Sequence, residues 1–142
     1  MIGRSAGAAL TLAAAVAIAG CSPLPLPVRT VTLGDQTWTV YEGGSNGMRG
    51  LPGFGDVDGM LFDMGREVDP VAFAFGMEDV GYPIDIAWFD GTGRLVSTTS
   101  MEACLEPPCA VYQADGPYRL AVEAPPGAFT DLRPEDRLRV SG

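Results

Sequence analysis

Between Val71 and Thr99 the chain alternates in a way that only extended structure can use. In Val71-Ala72-Phe73-Ala74-Phe75-Gly76-Met77 the large side chains occupy every second position, so a strand here has one large face and one small face. Ile84-Asp85-Ile86-Ala87-Trp88-Phe89 follows, with Ile84, Ile86 and Trp88 on one side. Asp90-Gly91-Thr92-Gly93 marks a turn, and Arg94 to Thr99 is β-branched enough to be a third strand. Three strands in succession predict a meander and place the core of the domain there.

The 142 residues are 46% hydrophobic and 19% charged, which suits one globular domain that buries its own core. All 9 basic residues are arginines, against 18 acids, and neither lysine nor histidine occurs. Without histidine there is no Ser-His or Cys-His nucleophilic pair and no imidazole ligand for zinc or iron. Without lysine there is no Schiff base and no phosphate-loop lysine. Carboxylates, arginines, tyrosines and cysteines are what remain for chemistry.

The chain begins with a targeting pattern. Arg4 precedes an apolar run from Ala6 to Ala19, and at roughly 14 residues this run falls short of the ~20 needed to cross a bilayer. Ile18-Ala19-Gly20-Cys21 resembles a bacterial lipobox, so residues 1–20 are expected to be a lipoprotein signal peptide and Cys21 the acylated residue. Cleavage removes Arg4 and no acid, which leaves the exported chain one charge more acidic than the −9 of the whole. Such a body does not adhere to anionic lipid or to nucleic acid, so the acyl chains on Cys21 must hold it at the membrane. Residues 21–28 then form a Pro-rich linker through Ser22-Pro23-Leu24-Pro25-Leu26-Pro27. In polyproline geometry, at about 3.1 Å per residue, it spaces the domain some 20 Å from the membrane.

Residues 29–142 are expected to be a single β domain. Val28 to Leu33 and Gln36 to Glu42 flank Gly34-Asp35 and predict an opening hairpin. Gly43-Gly44-Ser45-Asn46-Gly47 breaks the periodicity, and with no helix after it and no lysine it reads as a flexible loop rather than a phosphate cradle. Arg119 to Glu123 reads as a strand with Leu120 and Val122 on one face, Ala128 to Leu132 as one helical turn, and Arg137 to Val140 as a last strand. The fold class is mainly β: a compact antiparallel barrel or sandwich of about seven or eight short strands with one or two short helices.

Five pieces in this order carry a resemblance: Arg49-Gly50-Leu51, Gly59-Met60-Leu61-Phe62, the segment ending at Met77, Pro83-Ile84-Asp85-Ile86, and Asp90 with Gly93. Together, from about Val31 to Val140, they resemble the family called domain of unknown function 192. Its members carry Arg-Gly-Leu-Met, Gly-Met-Leu-Phe, Phe-Trp-Met-Lys-Asn-Thr and Pro-Leu-Asp-Ile, closed by Asp-x-x-Gly. The resemblance implies a fold and no established activity. Here Met-Lys-Asn-Thr is replaced by Met77-Glu78-Asp79-Val80, and Pro52 follows Leu51 in place of methionine.

Several acids are candidates for chemistry. Asp85 lies on the strand face opposite Ile84 and Ile86, near Phe89, where a carboxylate is either an acid with a raised pKa or a structural acceptor of backbone N–H groups. Glu78 and Asp79 join it as candidate catalytic carboxylates. Asp56-Val57-Asp58-Gly59 suggests calcium, with Glu67 at the twelfth position, but Met60 and Leu61 stand where a calcium-hand loop needs a ligand and a glycine. An irregular site would use Asp56, Asp58, Asp63 or Asp69; solvated turns are the plainer reading. Cys104 and Cys109, four residues apart in an exported chain, are expected to form a disulfide that contributes only ~2 kcal/mol as a local clamp. Arg133, Arg137 and Arg139 are expected to pair with the acidic surface.

No cofactor or metal is expected. The expected function is a membrane-tethered, non-enzymatic domain of the bacterial cell envelope, facing outside the cytoplasm, that binds an envelope protein or a polymer such as a glycan, and no nucleic acid. The alternative is a small carboxylate-dependent hydrolase or ligand-processing domain, with calcium or without it. A third reading gives Cys104 and Cys109 a thiol role.

Overall fold

A computed structural model describes residues 25–142. The expected signal peptide and the acylated Cys21 lie outside the described residues, as does the linker up to Leu24. Pro27 already belongs to the domain, because its carbonyl accepts the N–H of Glu42 at 2.8 Å.

The chain is mainly β. Nine strands run in order: β1 (Val28–Leu33), β2 (Gln36–Glu42), β3 (Gly59–Val68), β4 (Phe75–Gly76), β5 (Ile84–Phe89), β6 (Leu95–Met101), β7 (Val111–Tyr112), β8 (Tyr118–Ala124) and β9 (Leu138–Val140). Seven form one sheet in the order β6-β5-β8-β3-β2-β1-β9, and β4 and β7 make a separate two-stranded sheet. The large sheet does not close into a barrel. A bridge between Arg94 and Arg137, with the N–H of Leu138 on Gly93 O at 2.9 Å, brings its two ends together at one corner.

The opening hairpin follows the sequence residue for residue, Val28 opposite Tyr41 through Leu33 opposite Gln36. Gly34 supplies the positive φ that its two-residue turn needs. The expectation of a purely antiparallel sheet fails at one pair: β2 and β3 run parallel, Val40 beside Gly59 and Glu42 beside Leu61. Residues 43–58 are long enough to bring the chain back for such a crossover. No helix occurs among the described residues. The expected helical turn at Ala128 to Leu132 is instead a run of tight turns, with Thr130 N–H on Gly127 O and Leu132 N–H on Phe129 O.

The predicted strand from Val71 to Met77 is also corrected. Asp69 accepts the N–H groups of Val71 and Ala72 on its side chain, and its carbonyl accepts that of Phe73. This local turn outcompetes the β-propensity of the alternating residues. Val71 is 68% exposed, and only Phe75 and Gly76 pair, with Tyr112 and Val111 of β7. The true centre is β5 beside β8, aligned from Asp85 opposite Ala124 to Phe89 opposite Leu120.

Both faces of the sheet are covered. On one, Val40, Leu61, Ala87, Phe89 and Val122 pack with Trp38, which stacks on Phe129 at 5.6 Å between ring centroids. On the other, Met60, Ile84, Ile86, Trp88 and Ala121 are roofed by β4, β7 and the segments that carry Met48, Phe54, Met77 and Val80. Two-sided burial explains why β5 and β8 read as near-continuous apolar runs.

Ile86→Ala removes a side chain with no exposed surface from the central pair and is expected to destabilise the chain by about 3 kcal/mol. Val71→Ala is expected to stay within about 0.5 kcal/mol, because the residue lies on an exposed turn. Urea denaturation checks both values, and a large loss at Val71 would restore the strand reading.

Candidate functional site

The register of the central strands dictates the site. On β8, Leu120, Val122 and Ala124 face the Trp38 side, which sends Ala121 and Glu123 to the roofed side. Glu123 is then flanked by Met60 on β3 and Ile86 on β5, both fully buried. The close approach depends on Gly59, where a Cβ would lie 2.4 Å from the carbonyl oxygen of Glu123. Glu123 itself is only 4% exposed and is the one buried charged residue of the described chain.

Its carboxyl opens into a half-enclosed cavity of about 260 Å³. The apolar wall comes from Phe62 and Met64 on β3, Phe75 on β4, Met77, Ile84 on β5 and Tyr118 on β8. Phe75 meets Phe62 edge to face at 5.1 Å and Tyr118 at 6.3 Å between ring centroids. The opposite wall is the glycine loop, with Ser45, Asn46, Met48 and Arg49. A Cβ on Gly43 would lie 2.6 Å from the Phe62 ring, so this loop seats on the aromatic wall only as glycine. Tyr118 fixes the far end, its hydroxyl donating to the carbonyl of Phe73.

No hydrogen bond to the Glu123 side chain occurs among the described residues, and burial pushes its pKa from 4.5 up to about 7. The charged and titratable groups around it are Tyr82 beside the core, Tyr118 on its own strand, and Arg49 and Glu78 at the mouth. Burial, reinforced by the charge of Glu123, raises Tyr82, whose hydroxyl donates to Leu51 O at 2.9 Å. Burial alone carries Tyr118 to about 12. At the mouth Arg49 reaches the Glu78 carboxylate at 3.4 Å and its backbone carbonyl at 3.1 Å. Both side chains are well exposed, so the pair orients the rim more than it stabilises the fold.

The rim is held from behind by the disulfide between Cys104 and Cys109. Cys104 bridges Glu78 and Val80, donating its N–H to Val80 O at 2.9 Å and accepting that of Asp79 at 3.0 Å. Asp79 sits at φ 61, a conformation that asparagine and aspartate tolerate better than other non-glycine residues. The Asn-to-Asp departure from the family motif therefore keeps the backbone, whereas Lys-to-Glu at position 78 reverses the charge at the mouth.

The three candidate carboxylates do not assemble. Glu78 lies on the rim and Asp79 points its backbone at Cys104. Asp85 lines a different depression of about 170 Å³ with Thr98, Ser100 and Phe129. It accepts Ser100 Oγ at 2.7 Å and Gly127 N at 2.8 Å, the structural role that the sequence left open beside catalysis. Asp58 accepts the N–H of Thr39 at 2.8 Å, Asp63 that of Gly65, and Asp69 the turn N–H groups. Among the described residues no three acids or cysteines gather as metal ligands, Asp56 included. Arg133 pairs with Asp136 at 3.2 Å and more loosely with Glu135 and Asp35, over a polar hollow of about 280 Å³. Sequence reasoning missed Glu123: an acid before Ala124-Pro125-Pro126 reads as a strand end in solvent.

Fold and cavity together define a small, mainly β domain with a mixed seven-stranded sheet and one carboxyl at the floor of an aromatic-walled pocket. The chain belongs to the DUF192 family, described as "Uncharacterized ACR", which it matches over residues 41–140. A search of curated proteins returns no match. Two crystal structures share the fold. A protein from Sinorhizobium meliloti, provisionally described as a transcription regulator, superposes with a TM-score of 0.68 at 19% identity, covering 84% of this chain and 98% of that one. A protein of unknown function from Novosphingobium aromaticivorans superposes with a TM-score of 0.66 at 21% identity, covering 92% and 99%.

The raised pKa of Glu123 fixes the sign of a pH effect. The stability it supplies is fully present below 4.5, falls as the unfolded chain ionises first, and is gone once pH passes about 7. The loss is on the order of 3 kcal/mol. Asp136, held below 3.8 by the Arg133 N–H, and Asp90, held there by Thr92 and Arg94 despite partial burial, act only at lower pH. Urea unfolding should therefore show the wild type weakening from pH 4.5 to about 7 and Glu123→Gln nearly flat. Equal slopes would mean that Glu123 titrates as an exposed acid.

Proposed function

We propose that this chain is a lipid-anchored, extracytoplasmic binding domain that holds a group of an envelope protein or polymer in the Glu123 cavity and does not transform it. The observation that carries this reading is a buried carboxyl, without a hydrogen-bond partner among the described residues, in a half-open cavity that has one aromatic and methionine wall and one polar loop wall. Such a site offers one directional contact and a large contact area, which is the chemistry of selective binding. The anchor rests on the lipobox that ends at Cys21 and the Pro-rich spacer after it. With Pro27 held in the domain, the Ser22 to Leu26 arm of about 15 Å would let the cavity reach partners beside the membrane.

One observation favours the hydrolase alternative: Glu78 and Glu123 line the same cavity, and the environment of Glu123 suits a proton donor at neutral pH. Glu78 would then be the base. Its pairing with Arg49 works against this, since the guanidinium occupies the carboxylate oxygen that a base would have to offer.

A thermal-shift experiment with fractionated envelope extract separates the two. For a binding domain, one fraction raises the melting temperature of the wild type by several degrees through mass action. Ala74→Trp, which plugs the cavity wall, abolishes the shift, Glu78→Gln retains it, and the fraction is unchanged by mass spectrometry after incubation. Consumption of a component that stops in Glu78→Gln would establish the hydrolase instead. Mass spectrometry of the membrane-extracted chain is expected to show Cys21 as its acylated N-terminal residue; an unmodified Cys21 would refute the lipid anchor.

A further inference from the structure

We infer that the cavity takes an ammonium group with short alkyl substituents, its positive head against the Glu123 carboxyl and its alkyl groups against the rings of Phe62, Phe75 and Tyr118. This deepens the proposed binding role and rests on it. Three features of the cavity point to a cation. The floor carries one acid and no base. At the mouth Arg49 is engaged by Glu78, so the rim pair cancels and the cavity keeps one uncompensated acid, negative once pH passes about 7. An anionic ligand would therefore meet Glu123, and the one cation among the lining residues, Arg49, is already paired with Glu78. The chain as a whole, at −9, also draws cations toward its surface.

The walls decide what kind of cation. Four aromatic residues, Phe62, Phe73, Phe75 and Tyr118, line the cavity with the methionines Met48, Met64 and Met77. A bare metal ion needs several oxygen ligands, and the two carboxylates of the cavity, Glu123 and the Arg49-paired Glu78, are joined by no third among the described residues. A sugar would find most of its polar partners on one side only, at Ser45 and Asn46 of the loop and the rim pair Arg49 and Glu78. An alkylated ammonium suits such walls: its charge is spread over methyl or methylene groups that pack against apolar surface while the ring faces attract it. The outer side of the wall already displays this chemistry: Arg66, which does not line the cavity, holds its guanidinium carbon 5.7 Å from the centroid of the Phe73 ring.

The probes are choline and its neutral carbon isostere 3,3-dimethyl-1-butanol, which match in shape and differ in charge. With 13C-methyl methionine in the purified chain, choline is expected to shift the methyl resonances of Met48, Met64 and Met77 saturably. The isostere should bind at least about tenfold more weakly. At a pH above about 7, where the carboxyl is ionised, Glu123→Gln removes its charge while keeping its shape, and should weaken choline binding by a similar factor. Phe62→Leu keeps an apolar wall without a ring face, and should weaken choline while leaving the isostere unchanged. Phosphatidylcholine vesicles added to the choline complex tell a lipid headgroup from a free solute: displacement assigns the ammonium to a lipid, no displacement to a solute, and both uphold the chemistry. Equal binding of choline and isostere at these methyls would overturn the ammonium reading and leave the cavity a binding site. No response of the methyls to choline would also overturn it, and the extract experiment with Ala74→Trp would then decide separately whether the cavity binds anything.

Discussion

A carboxyl held out of water at the middle of a sheet is the constraint on which the rest of this molecule turns. Glu123 stands on β8, with Met60 and Ile86 as its cross-strand neighbours and a roof of loops above it. An ionised carboxylate in such surroundings is costly unless paired. Among the described residues no side chain or backbone donor compensates it, and it answers by holding its proton to about pH 7. A hydrocarbon side chain at this position would pack at no such penalty. The acid therefore weakens the apo fold near neutral pH, and a ligand that satisfies it would recover that stability.

The architecture around Glu123 keeps the cavity open. Phe62 and Phe75 meet edge to face and prop one wall, Tyr118 ties β8 to the carbonyl of Phe73, and Gly43 lets the glycine loop lie flat on Phe62. The disulfide has a positional role here. It fixes the loop of Cys104, which in turn fixes the backbone of Glu78 to Val80 and hence the rim. The motif Met77-Glu78-Asp79-Val80 thus sits where the family pattern and the cavity mouth coincide. Its glutamate makes with Arg49 a neutral pair where two bases would otherwise stand.

What was legible in the sequence was local. Gly34-Asp35 placed the first hairpin, the Asp90 to Gly93 turn placed β5 against β6, and the spacing of Cys104 and Cys109 foretold their pairing. Family motifs were legible for the same reason, since each is short and contiguous. The segment at Val71 misled because periodicity was weighed without the capping power of Asp69 just before it. The parallel β2 and β3 pair depends on a crossover that no local pattern encodes. Glu123 escaped for the deepest reason: its burial comes from both neighbouring strands and a distant roof, none of which its own residues announce. The glycine loop, read as merely flexible, gains its place as a cavity wall from the same long-range packing.

The central claim is that burial, with no compensating partner, holds the Glu123 carboxyl protonated near neutral pH. Carbon-detected NMR of the glutamate side-chain carboxyls, titrated through the acid and neutral range and assigned by comparison with Glu123→Gln, measures this directly. The account predicts one glutamate with a midpoint of about 7, well above the ordinary 4.5. A midpoint for Glu123 near 4.5 would contradict it, and would mean that the carboxyl is solvated and the cavity floor is wet.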